Sequence, residues 1–157
     1  MLPSWLVIAI VTVAVAVVFN RLSSNDIRWF NHLRRPPWLT FEKAIPAIWT
    51  FIFICGAWSA YIIWEADAGS RNTWFLMGFY LLLELVIIAY TPVMCKLKSL
   101  TVGTIIGGLG FVLGFILALI VIRIVVWAFV LLLPYLLWSP IGTYVTWAMI
   151  RLNPGNA

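Results

Sequence analysis

Charge is what this chain has least of. Asp, Glu, Lys and Arg make up 10% of its 157 residues, against about 25% in soluble domains. A soluble core of this size has no room for the apolar remainder, so the solvent must be lipid. Histidine is nearly absent: His32 stands alone. The two cysteines, Cys55 and Cys95, form no C-x-x-C pair and read as buried free thiols. No convincing metal site can be assembled from that set. There is no Ser/His/Asp arrangement, no pair of carboxylates at helical spacing and no phosphate loop, so hydrolase and ATPase chemistry has nothing to stand on. Internal repeats and low-complexity segments are also missing.

The net charge of +5 would suggest nucleic acid in a soluble protein. Here the basic residues sit at the ends of apolar runs, where membrane topology accounts for them, and no nucleic-acid partner is expected.

What is there is apolar: 64% hydrophobic residues and a mean hydropathy of +1.08. Five runs reach bilayer length, roughly 2–20, 44–64, 73–95, 100–122 and 125–150. They lack the alternation of barrel strands, and backbone groups in lipid must be satisfied internally. The expectation is an all-α membrane protein, one domain over 1–157, built as a bundle of five transmembrane helices. The first run lacks a basic n-region and exceeds the usual signal-peptide core of about 7–15 residues, so it reads as a retained span. Pro46 falls in the first turn of the second run, where its missing N–H costs least. Trp64 and Trp74 flank the second loop as interfacial anchors. The short break around Arg123 forces a tight hairpin between the last two spans.

Five spans put the termini on opposite sides. Arg21, Arg28, Arg34, Arg35, Lys43, Lys96, Lys98 and Arg151 share one side, and the other holds Arg71 and Arg123. The positive-inside rule then places the first loop and C-terminus in the cytoplasm and the N-terminus outside, with a bacterial inner membrane as the default. The tail, Asn153 to Ala157, is expected to fray.

Some residues call for more than topology. Trp49, Trp58, Trp138 and Trp147 lie deep in runs, either as packing or as walls of a cavity for a flat aromatic ligand. Glu84 sits near the middle of the third run, where a carboxylate is expensive and marks a function or a bonded neutral acid. Gly103, Gly107, Gly110 and Gly114 keep one face of the fourth run small. That face suits either another helix of this chain or a second subunit, a possible dimer face. Pro134 and Pro140 lie inside the fifth run and suggest a kink there.

Three stretches carry a resemblance. WFNHLRRPPW resembles the WY…L.KP.W loop of the TspO/translocator protein family, the tryptophan-rich sensory proteins or peripheral-type benzodiazepine receptors. IPAIWTFIF is similar to its second-span element, and LLLPYLLWSPIGTYVTWAMIRLN to its fifth-span signature LL.PYL.W…A……..LN. Order, spacing and the tight last hairpin agree over nearly the whole chain. The sequence departs in the third span, where Leu83 and Ile87 stand at positions of a family Q…N pair and Tyr90 replaces a Trp.

The resemblance implies a five-helix bundle, often a homodimer, with a cavity open toward the first loop, 21–43, as its lid. Trp29, Phe30, Arg34, Arg35, Pro36 and Pro37 would form that lid, the prolines stiffening an extended strap and the arginines meeting ligand propionates or lipid phosphates. The family pocket maps onto Trp38, Trp49, Phe53, Tyr135, Trp138 and Gly142. No cofactor is required; a tetrapyrrole such as protoporphyrin IX, or another flat hydrophobic molecule, is the implied ligand. Trp49 and Trp138 match tryptophans linked in some bacterial members to light-dependent porphyrin breakdown, which makes them the candidates for catalysis. Three readings follow: a tetrapyrrole receptor or carrier tied to stress or pigment metabolism, a photo-oxidative enzyme, and a structural module that docks partners.

Overall fold

The computed structural model describes residues 2–157. Among them are six α-helices and no strand: α1 Ser4–Phe19, α2 Ser24–His32, α3 Ile45–Ala66, α4 Arg71–Leu97, α5 Leu100–Val121 and α6 Val126–Leu152. The last four are long and apolar enough to cross a membrane. The fifth expected span is less simple. With 16 residues α1 is short, and it reaches span length only when joined to α2, from which it is bent by 82°.

Local chemistry fixes the helix ends. The Ser70 hydroxyl accepts from Thr73 N–H at 3.1 Å and starts α4 two residues before the apolar run. Ser99 does the same for α5 through Val102. Pro46 sits in the first turn of α3 as its fixed φ favours. Lys98 closes α4 in the left-handed region at φ 50, and Ile122–Val125 turn the chain tightly into α6. α6 stays helical through Pro134 and Pro140.

The helices close a ring. α1 packs on α3 and α4, α3 on α6, α6 on α5, and α5 on α4, with α2 laid against α4. One apolar cluster, with Ile63, Leu117, Val121 and Ala128, fills the end away from the first loop. A second joins Leu33 and Leu39 of the loop to Met94, Leu100, Val145 and Met149. Phe51, Trp58, Phe75, Ile105 and Leu137 point outward, as expected where lipid tails are as apolar as the core. Association between such helices rests on close packing and interhelical hydrogen bonds. Tyr80 donates to Ser59 Oγ at 2.6 Å, and Ser59 donates to the Ala128 carbonyl at 2.7 Å, tying α4, α3 and α6 together.

The glycine face is spent inside the chain. A Cβ at Gly114 would lie 2.4 Å from Tyr135 Cε1, at Gly107 2.5 Å from Thr143 Oγ1, and at Gly103 2.5 Å from Met94 Sδ. Of the two partners the sequence allowed, the structure takes helices of the same chain. The face is therefore not available to a second copy.

Candidate functional site

Segment 21–43 is not the extended strap expected from its prolines. It contains α2, opened by a capping box: Ser23 Oγ accepts from Asp26 N–H, and the Asp26 carboxylate accepts from Ser23 N–H at 2.9 Å. Those bonds, with Lys96 and Lys98 nearby, hold the Asp26 carboxyl below its ordinary value, the backbone bond contributing most. The signal was legible as Ser followed three residues later by an acid. Extended backbone flanks α2 at Ser23 and Leu33, and only Pro36 of the two prolines is buried.

The segment is clamped from the C-terminus, so the tail does not fray. Asn153 accepts from Arg34 N–H at 2.9 Å and donates to the Arg34 carbonyl at 3.0 Å and to the Met149 carbonyl at 2.9 Å. The Trp29 indole donates to Asn156 Oδ1 at 2.8 Å, within the 3-10 turn Pro154–Asn156. Arg35 donates to the carbonyls of Phe30 and Leu33, both at 2.6 Å, pairs with Glu42 at 3.1 Å, and lies 4.5 Å over the Phe30 ring. Its guanidinium is occupied by the lid itself. Arg34 is exposed and contributes its backbone.

Beneath this lid lies a cavity of about 150 Å³. Phe30, Arg35 and Glu42 form its cover, Trp49 stands on the α3 wall, Tyr90 on the α4 wall, and Trp138, Gly142 and Thr143 on the α6 wall. Tyr135 lines it at the bundle centre. Two of its polar atoms, Trp138 Nε1 and Thr143 Oγ1, are buried with no hydrogen-bond partner. Leaving buried polar atoms unpaired costs about 1–3 kcal/mol each, so both atoms lack the partner that their burial calls for. Tyr90 is satisfied: it bonds Thr146, whose hydroxyl donates on to the Gly142 carbonyl.

Of the residues expected here, Trp49, Tyr135, Trp138 and Gly142 converge, and two do not. Trp38 is exposed and stacks on Tyr144 at 5.8 Å, because the turn at Pro37 carries it over the outside of α6. Phe53 lies one turn along α3 from Trp49 and lines a different cavity. Among the deep tryptophans, Trp58 and Trp147 face outward. Sequence reasoning did not single out Asn153, Asn156, Glu42 or Thr143 for the roles they fill. Asn153 was present in the RLN ending of the fifth-span motif, which was its available signal.

Comparison with known proteins finds relatives over nearly the whole chain. A protein from Bacillus subtilis described as an uncharacterized membrane protein, YtaB, is 28% identical over 150 residues, covering 94% of this chain and 95% of that one. The "Tryptophan-rich protein TspO" of Bacillus cereus is 27% identical over 157 residues, covering 98% and 99%. The family model described as "TspO/MBR family" matches residues 6–152. That match takes in every membrane-length helix and the clamped lid, and the chain is therefore a membrane protein of the TspO/MBR family.

Proposed function

We propose that this protein is a membrane receptor or carrier that holds a flat tetrapyrrole, such as protoporphyrin IX, in the loop-side cavity. The observation that carries the reading is the pair of unpartnered polar atoms, Trp138 Nε1 and Thr143 Oγ1, on the α6 wall of a cavity that Trp49 lines from α3. A tetrapyrrole offers a planar apolar body for the indoles and acceptor groups for the unpaired donors. At about 150 Å³ the cavity is smaller than the roughly 300 Å³ at which ligand sites begin. The guest therefore enters by lifting the lid, and the Arg35 and Asn153 contacts are what it displaces. Stress or pigment regulation is the output that the family resemblance favours.

The membrane arrangement belongs to the same reading. Residues 4–19 as helix rise about 24 Å, short of the roughly 30 Å hydrocarbon thickness, a mismatch that local thinning absorbs. α1 then counts as the fifth span, with α2 at the surface. Eight of the ten Lys and Arg residues lie on the lid side, which favours an inner-membrane protein with lid and C-terminus in the cytoplasm. A homodimer would have to use a lipid-facing surface other than the α5 glycines.

A tryptophan-quenching titration with protoporphyrin IX in the dark tests the site, with Trp49→Phe and Trp138→Phe alongside. Saturable quenching, weakened in either variant, is expected. Linear quenching indifferent to both variants would mean porphyrin dissolving in detergent and would remove the tetrapyrrole reading. Because Trp49 and Trp138 line one cavity, an excited porphyrin there would have two indoles beside it, which keeps photo-oxidative breakdown as a second reading. Illumination of the same samples in oxygen then shows tryptophan-dependent loss of porphyrin absorbance, or excludes that chemistry.

A further inference from the structure

A second and larger cavity lies on the other side of Tyr135. It holds about 570 Å³ between α1, α3, α4 and α6, inside the size range of small-molecule sites. Its wall is almost wholly apolar, with Ile8, Phe53, Met77 and Leu132 among the contributors, and Trp64 and Trp74 meet edge to face at one end. Gly56 and Gly78 open it further, since a Cβ at either would meet nothing within 4 Å. Its few polar groups are largely engaged. Ser4 donates to Glu65, and Tyr80 donates to Ser59. Glu84 differs from these: it lines the cavity, and its Oε1 is buried with no partner.

A carboxylate oxygen left unpaired in an apolar membrane cavity is an acceptor waiting for a donor, and a cationic donor would also offset its charge. Among the described residues that line this cavity there is no Lys, Arg or His, so these residues supply no such cation and nothing with which to hold an anion. Trp74 and Glu84 are ten residues apart on one helix, about 15 Å along its axis. The geometry points to a binding site for a lipophilic amine, its ammonium on Glu84 and its apolar chain lying along α1 toward Trp64 and Trp74. This site is separate from the loop-side cavity and does not depend on what that cavity holds.

The test uses the purified protein in phosphatidylcholine nanodiscs, with n-dodecylamine as probe and n-dodecanol as its uncharged counterpart. Thermal unfolding is followed by tryptophan fluorescence. Wild type should gain stability saturably with the amine and not with the alcohol. Glu84→Gln keeps the size and an acceptor but removes the charge, and should weaken the response at least about tenfold, the scale of a charge-assisted hydrogen bond. Gly56→Leu has space for its Cβ and fills the cavity, so it should abolish the response; Gly78→Leu repeats that test from α4 should the first variant fail to fold. Trp138→Phe, in the other cavity, should leave it intact. A response equal in wild type, Glu84→Gln and Gly56→Leu would mean amine partitioning into the bilayer and would overturn the site. A response lost in Gly56→Leu but kept in Glu84→Gln, and matched by dodecanol, would refute amine recognition.

Discussion

Gly114 and Gly108 lie on the same helix and allow the packing argument to be tested against itself. A Cβ at Gly114 would stand 2.4 Å from Tyr135 Cε1 and 2.9 Å from Cδ1. Carbon atoms pack comfortably at about 3.5–4.0 Å, so the ring would have to retreat by about 1 Å. Tyr135 is only 5% exposed, and its ring moves as one rigid plane where a flexible methionine bends aside. Overpacking of this kind costs about 1–3 kcal/mol. At Gly108 the added Cβ meets nothing within 4 Å. Both substitutions by alanine make the same gain in helix propensity, about 0.8–1.0 kcal/mol, and the difference between them isolates the clash. Unfolding each variant by SDS titration in mixed micelles should place Gly114→Ala about 1–3 kcal/mol below Gly108→Ala. Equal stabilities, within about 0.5 kcal/mol, would refute the close α5–α6 seat. Gly103→Ala should fall between them, because its obstacle is the Met94 thioether, which can move aside.

The clamp and the cap make two further predictions. Asn153→Ala removes three hydrogen bonds between the tail, α6 and Arg34 and should cost about 1–3 kcal/mol. Tryptic cleavage within 21–43 should accelerate accordingly, and an unchanged rate would show that the lid is held by its apolar contacts instead. Asp26 has a folded-state pKa below its unfolded value, so its contribution is present above the unfolded pKa, near 3.9, and is lost as pH falls through the folded value. Cleavage at the lid should thus be flat from neutral pH to about 4 and rise below it, when probed with an acid-active protease. In Asp26→Asn that acid-dependent rise should disappear, and its persistence would assign the effect to another group.

Much of this architecture was readable before any coordinates. Hydropathy marks the four long spans because lipid imposes it, and the basic residues gather at the lid end for the same reason. The convergence of Trp49 and Trp138 came from resemblance. Periodicity alone does not give it, since helices apolar on all sides do not announce which face turns inward. That is why Phe53 was misplaced. Four residues beyond Trp49 it keeps nearly the same direction but sits about 6 Å further along the axis, enough to move it from one cavity to the next. The glycine face posed the same problem from the other side. Its spacing shows that something approaches closely, and only the packed bundle shows that Tyr135, Thr143 and Met94 do so. α2 and the tail clamp were missed for a different reason. Two prolines drew the segment as a strap, while the Ser23–Asp26 box and Asn153 act through single hydrogen bonds that leave little trace in composition.

The α5 glycines acquire a role from where their partner stands. Tyr135 lines both cavities, and so does Ile87 across from it. Gly110 and Gly114 are the hollow into which the Tyr135 ring fits, with its hydroxyl 2.8 Å from where a Cβ of Gly110 would be. Two glycines in α5 thereby set the position of the partition between a small cavity with unpaired polar atoms and a large one with an unpaired carboxylate oxygen. Leu83 and Ile87 make the α4 side of that partition apolar, so no polar path joins the two chambers through them. If the ring is the wall, displacing it has to alter both chambers at once. Gly114→Ala should change the porphyrin response and the amine response together, and Gly108→Ala should change neither. A Gly114→Ala protein that binds both probes as wild type does would show that the two cavities are walled by something other than Tyr135.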